Sequence, residues 1–168
     1  MLLAVISDTH LPRGTRRLPD ACLERLAAAD AILHAGDFVT AEIVDDIAAI
    51  GPPLHAVHGN IDEPAVAMRL PAARLVHAEG VRIAMVHDAG AAAGRLARMR
   101  RRFPDADAVV FGHSHIPLHE HDADGAFQIF NPGSPTDRRR QPRHTMGLAH
   151  VRGDALRFEL VDLGALGA

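Results

Sequence analysis

Asp8 and His10 put a carboxylate and an imidazole two residues apart, immediately after the uncharged run Leu2–Ser7. Carboxylate oxygen and imidazole nitrogen together make a donor set for first-row divalent ions. Both can turn toward one ion where a strand gives way to a loop. The same event recurs along the chain. Asp37 follows Ala31–Gly36, Asn60 follows Leu54–Gly59, His87 follows Val81–Val86, and His113 and His115 follow Ala108–Gly112. Two divalent ions sharing one carboxylate, with positions left for water and substrate, need about this inventory of mixed oxygen and nitrogen ligands.

Each residue alone has a plainer use. Asp8 and Asp37 suit capping positions, Asn60 suits a turn with positive φ, and His87 suits a satisfied core position. The pair His113 and His115 is harder to assign that way, because two imidazoles behind an apolar strand are costly to desolvate without a partner. Collectively, five strand-to-loop junctions present metal-capable side chains.

The elements that must position them follow from hydrophobic spacing. Leu2–Ser7 reads as a buried strand that delivers its ligands at the carboxyl end, the edge where open α/β sheets bind ligands. Apolar residues at 18, 22, 23 and 26 predict a helix over 18–29, with Pro19 in its first turn. Thr40 is placed to cap a helix carrying Ile43, Val44, Ile47 and Ile50 on one face, which Gly51-Pro52-Pro53 stops. Strands at 31–36 and 54–58 complete a βαβ rhythm, which predicts a parallel sheet with its carboxyl ends on one edge. Residues 74–77 and 81–86 read as a hairpin around Glu79-Gly80. A helix over 91–103 ends at Pro104, its Arg100-Arg101-Arg102 run forming a solvated face, and 108–111 is again a buried strand. Turns at 122–125 and 152–154 predict hairpins that close a second sheet. The expectation is two packed sheets flanked by helices.

Composition sets the class. A chain of 168 residues, 48% hydrophobic and 23% charged, with mean hydropathy +0.01, fits one soluble domain over 1–168. Its first apolar run reaches Asp8 too soon for a signal peptide or a membrane span, so no membrane association and a cytoplasmic location are expected. All 18 basic residues are arginine, set against 21 acidic ones for a net charge of −3. That balance predicts no broad nucleic-acid-binding surface, and it leaves a homo-oligomer open. Cys22 has no partner for a disulfide and sits in a helical pattern, as a small core residue would. Twelve histidines with no Trp or Tyr are the compositional anomaly, since neutral imidazole is the commonest protein ligand for transition metals.

The series Asp8-x-His10, Gly36-Asp37, Gly59-Asn60-x-Asp62, His87, Gly112-His113-x-His115 resembles the motif order of the calcineurin-like metallophosphoesterases. It is most similar to their small bacterial and archaeal phosphodiesterase branch, which includes a related eukaryotic retromer subunit. The resemblance implies a four-layer αββα sandwich of α+β or α/β class, two mixed sheets flanked by helices, with the site at the carboxyl ends of the strands. It implies two divalent transition-metal ions, Mn²⁺ first and Ni²⁺, Zn²⁺, Fe or Co²⁺ as alternatives. Asp8, His10, Asp37 and His115 would hold one ion, and Asp37, Asn60, His87 and His113 the other. Asp8, Asp37, Asn60, His87 and His113 would thereby be the catalytic set of a phosphodiesterase or phosphatase acting on a small phosphoester, in which hydroxide attacks phosphorus in line. Asn131-Pro132-Gly133-Ser134 matches a loop of that branch, and further phosphate contacts are expected from the backbone around Asn131 to Ser134 and from Arg138, Arg139, Arg140 or Arg143, since guanidinium matches phosphate bidentately. Two positions depart from the pattern: Ile61 stands where the branch commonly has Cys and many larger members carry a candidate acid, and Asp88 stands where Gly is usual. A non-catalytic metal-binding scaffold on the same fold, as in the retromer subunit, is the alternative.

Overall fold

Leu2–Ile6 forms strand β1, and both of its faces are covered, which is why its run is uninterruptedly apolar. Leu3 and Val5 point into the space between two sheets, while Ala4 and Ile6 point at the helices packed behind the strand. The computed structural model describes residues 1–164; the last four residues of the expected domain lie outside them. Beyond β1 the elements run α1 (Asp20–Ala27), β2 (Ala31–His34), α2 (Ala41–Ala48), β3 (Leu54–Ala56), α3 (Pro64–Arg69), β4 (Ala73–Ala78) and β5 (Val81–Val86). They continue with α4 (Arg95–Arg102), β6 (Ala108–Val110), β7 (Leu118–His121), β8 (Gln128–Asn131), β9 (Thr145–Arg152) and β10 (Ala155–Asp162).

One sheet has the order β10-β9-β1-β2-β3 and the other β4-β5-β6-β8-β7. In the first, β1, β2 and β3 are parallel, with Ile6 opposite His34 and His34 opposite Ala56, so their carboxyl ends share one edge. In the second, β5, β6 and β8 are parallel and the hairpins β4–β5 and β7–β8 are antiparallel. Leu3, Val5, Leu33, Ile83, Met85, Val110 and Phe130 fill the space between the sheets. Cys22, Leu26, Val44 and Ile47 from α1 and α2 cover the outer face of the first sheet, and Met99 from α4 that of the second. The result is the four-layer αββα arrangement. Burial pushes the Cys22 thiol up to about 12, as befits a core residue.

Three expectations need correction. The β9–β10 hairpin extends the first sheet rather than the second, because β9 pairs antiparallel with the free edge of β1 from Leu2–His150 to Val5–Gly147. Helix α3 was not anticipated; at six residues, with Pro64 in its first turn and Val66 alone buried, it is too short to show a periodicity. Helices and strands are also shorter than their apolar runs. Pro19 is the N-cap of α1 rather than part of its first turn, and Gly94, in the left-handed region at φ 68°, delays the start of α4 to Arg95. Among the described residues, no helix is long and apolar enough to cross a membrane.

Candidate metal centre

The loops that follow β1, β2, β3, β5 and β6 converge on one edge of the sandwich. Asp8, His10, Asp37, His113 and His115 all adopt left-handed φ values, between 49° and 67°. Such a conformation is rare for residues with a Cβ, costs of order 1–3 kcal/mol each, and persists only where the surroundings over-determine it. Here they do. Asp8 N–H donates to Gly36 O (2.9 Å), His10 N–H to Asp37 O (3.0 Å) and Leu11 N–H to Phe38 O (2.9 Å), so the two loops continue the β1–β2 pairing beyond the strands. Glycine is required at the closest approaches. A Cβ at Gly59 would collide with Asp37 Oδ1, and one at Gly112 with Ser7 Oγ and Asp8 Oδ2.

All seven expected ligands are brought together. On one side, His115 Nε2 lies 3.4 Å and His10 Nε2 4.0 Å from Asp8 Oδ1, and His10 Nε2 lies 3.3 Å from Asp37 Oδ2. On the other, Asp37 Oδ1 lies 3.3 Å from His87 Nε2, while Asn60 Oδ1 lies 3.1 Å from His87 Nε2 and 2.8 Å from His113 Nδ1. Asp37 thus offers one oxygen to each side. Asp8, which accepts the His113 backbone N–H on both oxygens at 3.0 Å, comes within 4.8 Å of donors on both sides as well. Asp8, His10, Asp37, His87 and His115 are buried, and Asn60 and His113 are exposed at the rim.

The donor chemistry fits divalent cations. His10 Nε2 and His115 Nε2 are fully buried without a hydrogen-bond partner, which is costly unless a cation accepts their lone pairs. His87 donates its Nδ1 proton to Ala35 O (2.8 Å), which leaves Nε2 to face the two oxygens of Asp37 and Asn60. Burial raises the Asp8 carboxyl to about 6, against the lowering effect of His87. Burial also opposes ionisation of Asp37, but His10, His87 and the Ile61 N–H outweigh it and hold that carboxyl well below its usual range. Burial disfavours the His87 cation, yet Asp37, Asp8 and the Ala35 carbonyl leave its affinity for a proton raised. Burial lowers His115 to about 4, helped by Arg139 and His10. Metal binding needs both carboxylates ionised and the imidazoles neutral, so a bound cation would have to displace the proton that Asp37 and Asp8 favour on His87.

Two buried histidines, His34 and His144, are not part of the centre. His34 accepts the Gly36 N–H on Nδ1 (3.1 Å), meets Thr9 Oγ1 through Nε2 (3.1 Å) and stacks on Phe38, and burial pushes its imidazole down to about 3. In the unfolded chain it titrates near 6.5, so below that pH the unfolded state binds a proton the folded state refuses. Stability is therefore expected to fall as pH drops from about 6.5 toward 3, by up to roughly 1.4 kcal/mol per pH unit from this group. Denaturant unfolding of the chelator-treated protein at several pH values in this range should show a shallower loss in His34→Gln; an unchanged slope would contradict the assignment.

Asn131 and Ser134 are buried and their side chains are engaged within the fold. Asn131 Nδ2 donates to Gly112 O (2.9 Å) and its Oδ1 accepts the Gly133 N–H (2.8 Å), while Ser134 Oγ donates to Asp8 O (2.8 Å) and accepts the Asp137 N–H (2.8 Å). These bonds hold the ligand loops. Arg138 is exposed, with its guanidinium donating to Gln141 O (2.6 Å). Asp62 has an unanticipated use: its carboxylate accepts N–H groups from Val39 (2.8 Å), Gly59 (2.7 Å) and Asp37 (3.3 Å), tying two ligand loops together. Ile61 is exposed beside the site, and Asp88 caps its own turn by accepting the Gly90 N–H at 2.6 Å. Two cavities flank the cluster. One of about 300 Å³ is lined by Asp88, Arg95, Phe111, His113 and Ser114, and another of about 270 Å³ by His58, Asn60, His87, Asp88 and Arg102.

Comparison with known proteins shows the family and the fold. Residues 1–154 match the family model described as the calcineurin-like phosphoesterase superfamily domain. A probable metallophosphoesterase of Methanothermobacter thermautotrophicus is 31% identical over 167 residues, covering 98% of this chain and 94% of the relative. The solution structure of a Thermotoga maritima protein is 31% identical, with TM-score 0.75 over 96% of this chain and 99% of its own. Vps29 from Entamoeba histolytica, crystallised with Zn²⁺, is 23% identical and superposes with TM-score 0.76 over 96% of this chain and 99% of its own, a likeness of fold.

Proposed function

Because the chain belongs to the calcineurin-like phosphoesterase superfamily, we propose that it is a dinuclear-metal-dependent phosphodiesterase acting on a small phosphoester. The observation that carries this reading is Asp37, whose two oxygens each lie 3.3 Å from an imidazole nitrogen of a different cluster. Asp8, His10, Asp37 and His115 would hold one ion, and Asp37, Asn60, His87 and His113 the other. When bound, two such ions supply an activated water and neutralise charge developing on the phosphoryl oxygens. Buried Asp8, His10 and His115 form a floor closed to solvent, so a phosphate approaches from the rim where Asn60 and His113 are exposed. The flanking cavities leave room for the two ester substituents, and Arg95 and Arg102 add positive charge there.

Chelation is expected to abolish turnover of a chromogenic aryl phosphodiester, and Mn²⁺ or Ni²⁺ should restore it better than Mg²⁺. Four imidazoles motivate this, because Mg²⁺ prefers oxygen ligands and a largely retained water shell. Restoration by Mg²⁺ equal to that by Mn²⁺ would argue that the imidazoles do not ligate. The Vps29 likeness supports a second reading, a metal-binding scaffold without turnover. Metal uptake with no hydrolysis across a panel of phosphomonoesters and diesters would favour it.

A further inference from the structure

Resting on that two-ion reading, we propose that Asp137, anchored by Arg16, is a positioning residue that fixes both imidazoles of the Asp8 side. His115 donates its Nδ1 proton to the Asp137 carbonyl. The Asp137 carboxylate lies 3.8 Å from His10 Nδ1 and accepts Arg16 Nη1 at 3.0 Å. An imidazole presents Nε2 to a cation only while Nδ1 keeps its proton, and an acceptor at Nδ1 sets both the tautomer and the ring orientation. One residue thus serves both rings, its backbone carbonyl by a hydrogen bond to His115 and its carboxylate by the attraction it exerts on the His10 Nδ1 proton from 3.8 Å. Its own position is set by the same loops: Asp137 N–H donates to Ser134 Oγ, which donates to Asp8 O, and Thr136 Oγ1 donates to Thr9 O. The Asp137 side chain is only 13% exposed and that of Arg16 29%, so this pair is not a solvated surface contact whose loss would go unnoticed. The second side has a separate anchor, Ala35 O for His87, and does not depend on Asp137.

The test is Mn²⁺ titration calorimetry on chelator-treated protein, comparing the wild type with Asp137→Ala, Asp137→Asn, Asp137→Glu and Arg16→Ala. One of two binding steps should weaken about 10–100-fold in Asp137→Ala, the usual effect of removing such a partner, while the other step holds. Arg16→Ala should weaken the same step by less, Asp137→Asn should fall between, and Asp137→Glu should recover part of the loss. Two unchanged steps in Asp137→Ala and Asp137→Asn would overturn the proposal. So would equal weakening of both steps together with a lower metal-free melting temperature, since that is a structural effect. A wild type that shows no two-step binding would overturn the two-ion reading itself, and this proposal with it.

Discussion

Asp37→Ala is expected to lose both ions and all measurable turnover, whereas His10→Ala should weaken one binding step. The asymmetry follows from ligand geometry. A carboxylate has two oxygens, and those of Asp37 face His10 Nε2 and His87 Nε2 at 3.3 Å each, while an imidazole can ligate one ion through a given nitrogen. Partners that only orient a ligand cost about 10–100-fold in affinity when removed, so loss of a ligand shared by two ions should exceed about 100-fold at each step. Substitution also frees the Ile61 N–H, which donates to Asp37 Oδ1 at 3.1 Å, so the variant's folded fraction needs to be checked by circular dichroism. Elemental analysis of the purified variants decides between outcomes. Two ions retained in Asp37→Ala would remove Asp37 from its bridging role.

A steep dependence of kcat/KM on leaving-group pKa is the second large expectation. General acid catalysis typically contributes roughly 10²–10⁴-fold, and most for poor leaving groups that must be protonated as they depart. Ile61 occupies the exposed position beside the centre and cannot donate a proton. Asp62 is no substitute, since its carboxylate is occupied by the N–H groups of Val39, Gly59 and Asp37. Aryl diesters should therefore turn over far faster than alkyl diesters, and the slope should persist in Asp62→Asn even where loosening of the loops lowers the absolute rate. Ile61→His would restore poor leaving groups only if its imidazole reaches the departing oxygen. A flat profile with chemistry rate-limiting would reveal an acid elsewhere, and His58, which lines the cavity beside Asn60 and His87, is the first residue to substitute.

The clustering of the candidate ligands was readable because it follows a local rule. Each buried strand ends in a polar residue able to bind metal, and parallel strands carry those ends to one edge, so Asp8, Asp37 and Asn60 could be collected before any fold was known. What stayed hidden depends on distant partners. Ser134 Oγ bonds Asp8 O across 126 residues of sequence, and nothing local in Asn131-Pro132-Gly133-Ser134 separates a phosphate contact from a brace. The β9–β10 hairpin could be recognised as a hairpin, but its place beside β1 is a matter of packing, settled where Gly147 leaves room for the Phe130 ring. His34 lay inside an apolar run, and only its bonds to Gly36 and Thr9 distinguish it from a ligand. The left-handed backbone of Asp8, His10, Asp37, His113 and His115 has no signature in residue type, because the loops impose it.

Hydrolysis is expected to depend on two ions held by these seven side chains. The most direct measurement is the rate of aryl phosphodiester turnover as Mn²⁺ is added stoichiometrically to chelator-treated protein. The rate should stay near zero without metal, rise with added Mn²⁺ and level off at two equivalents per chain. Saturation at one equivalent, or no turnover at two equivalents of bound metal, would contradict it.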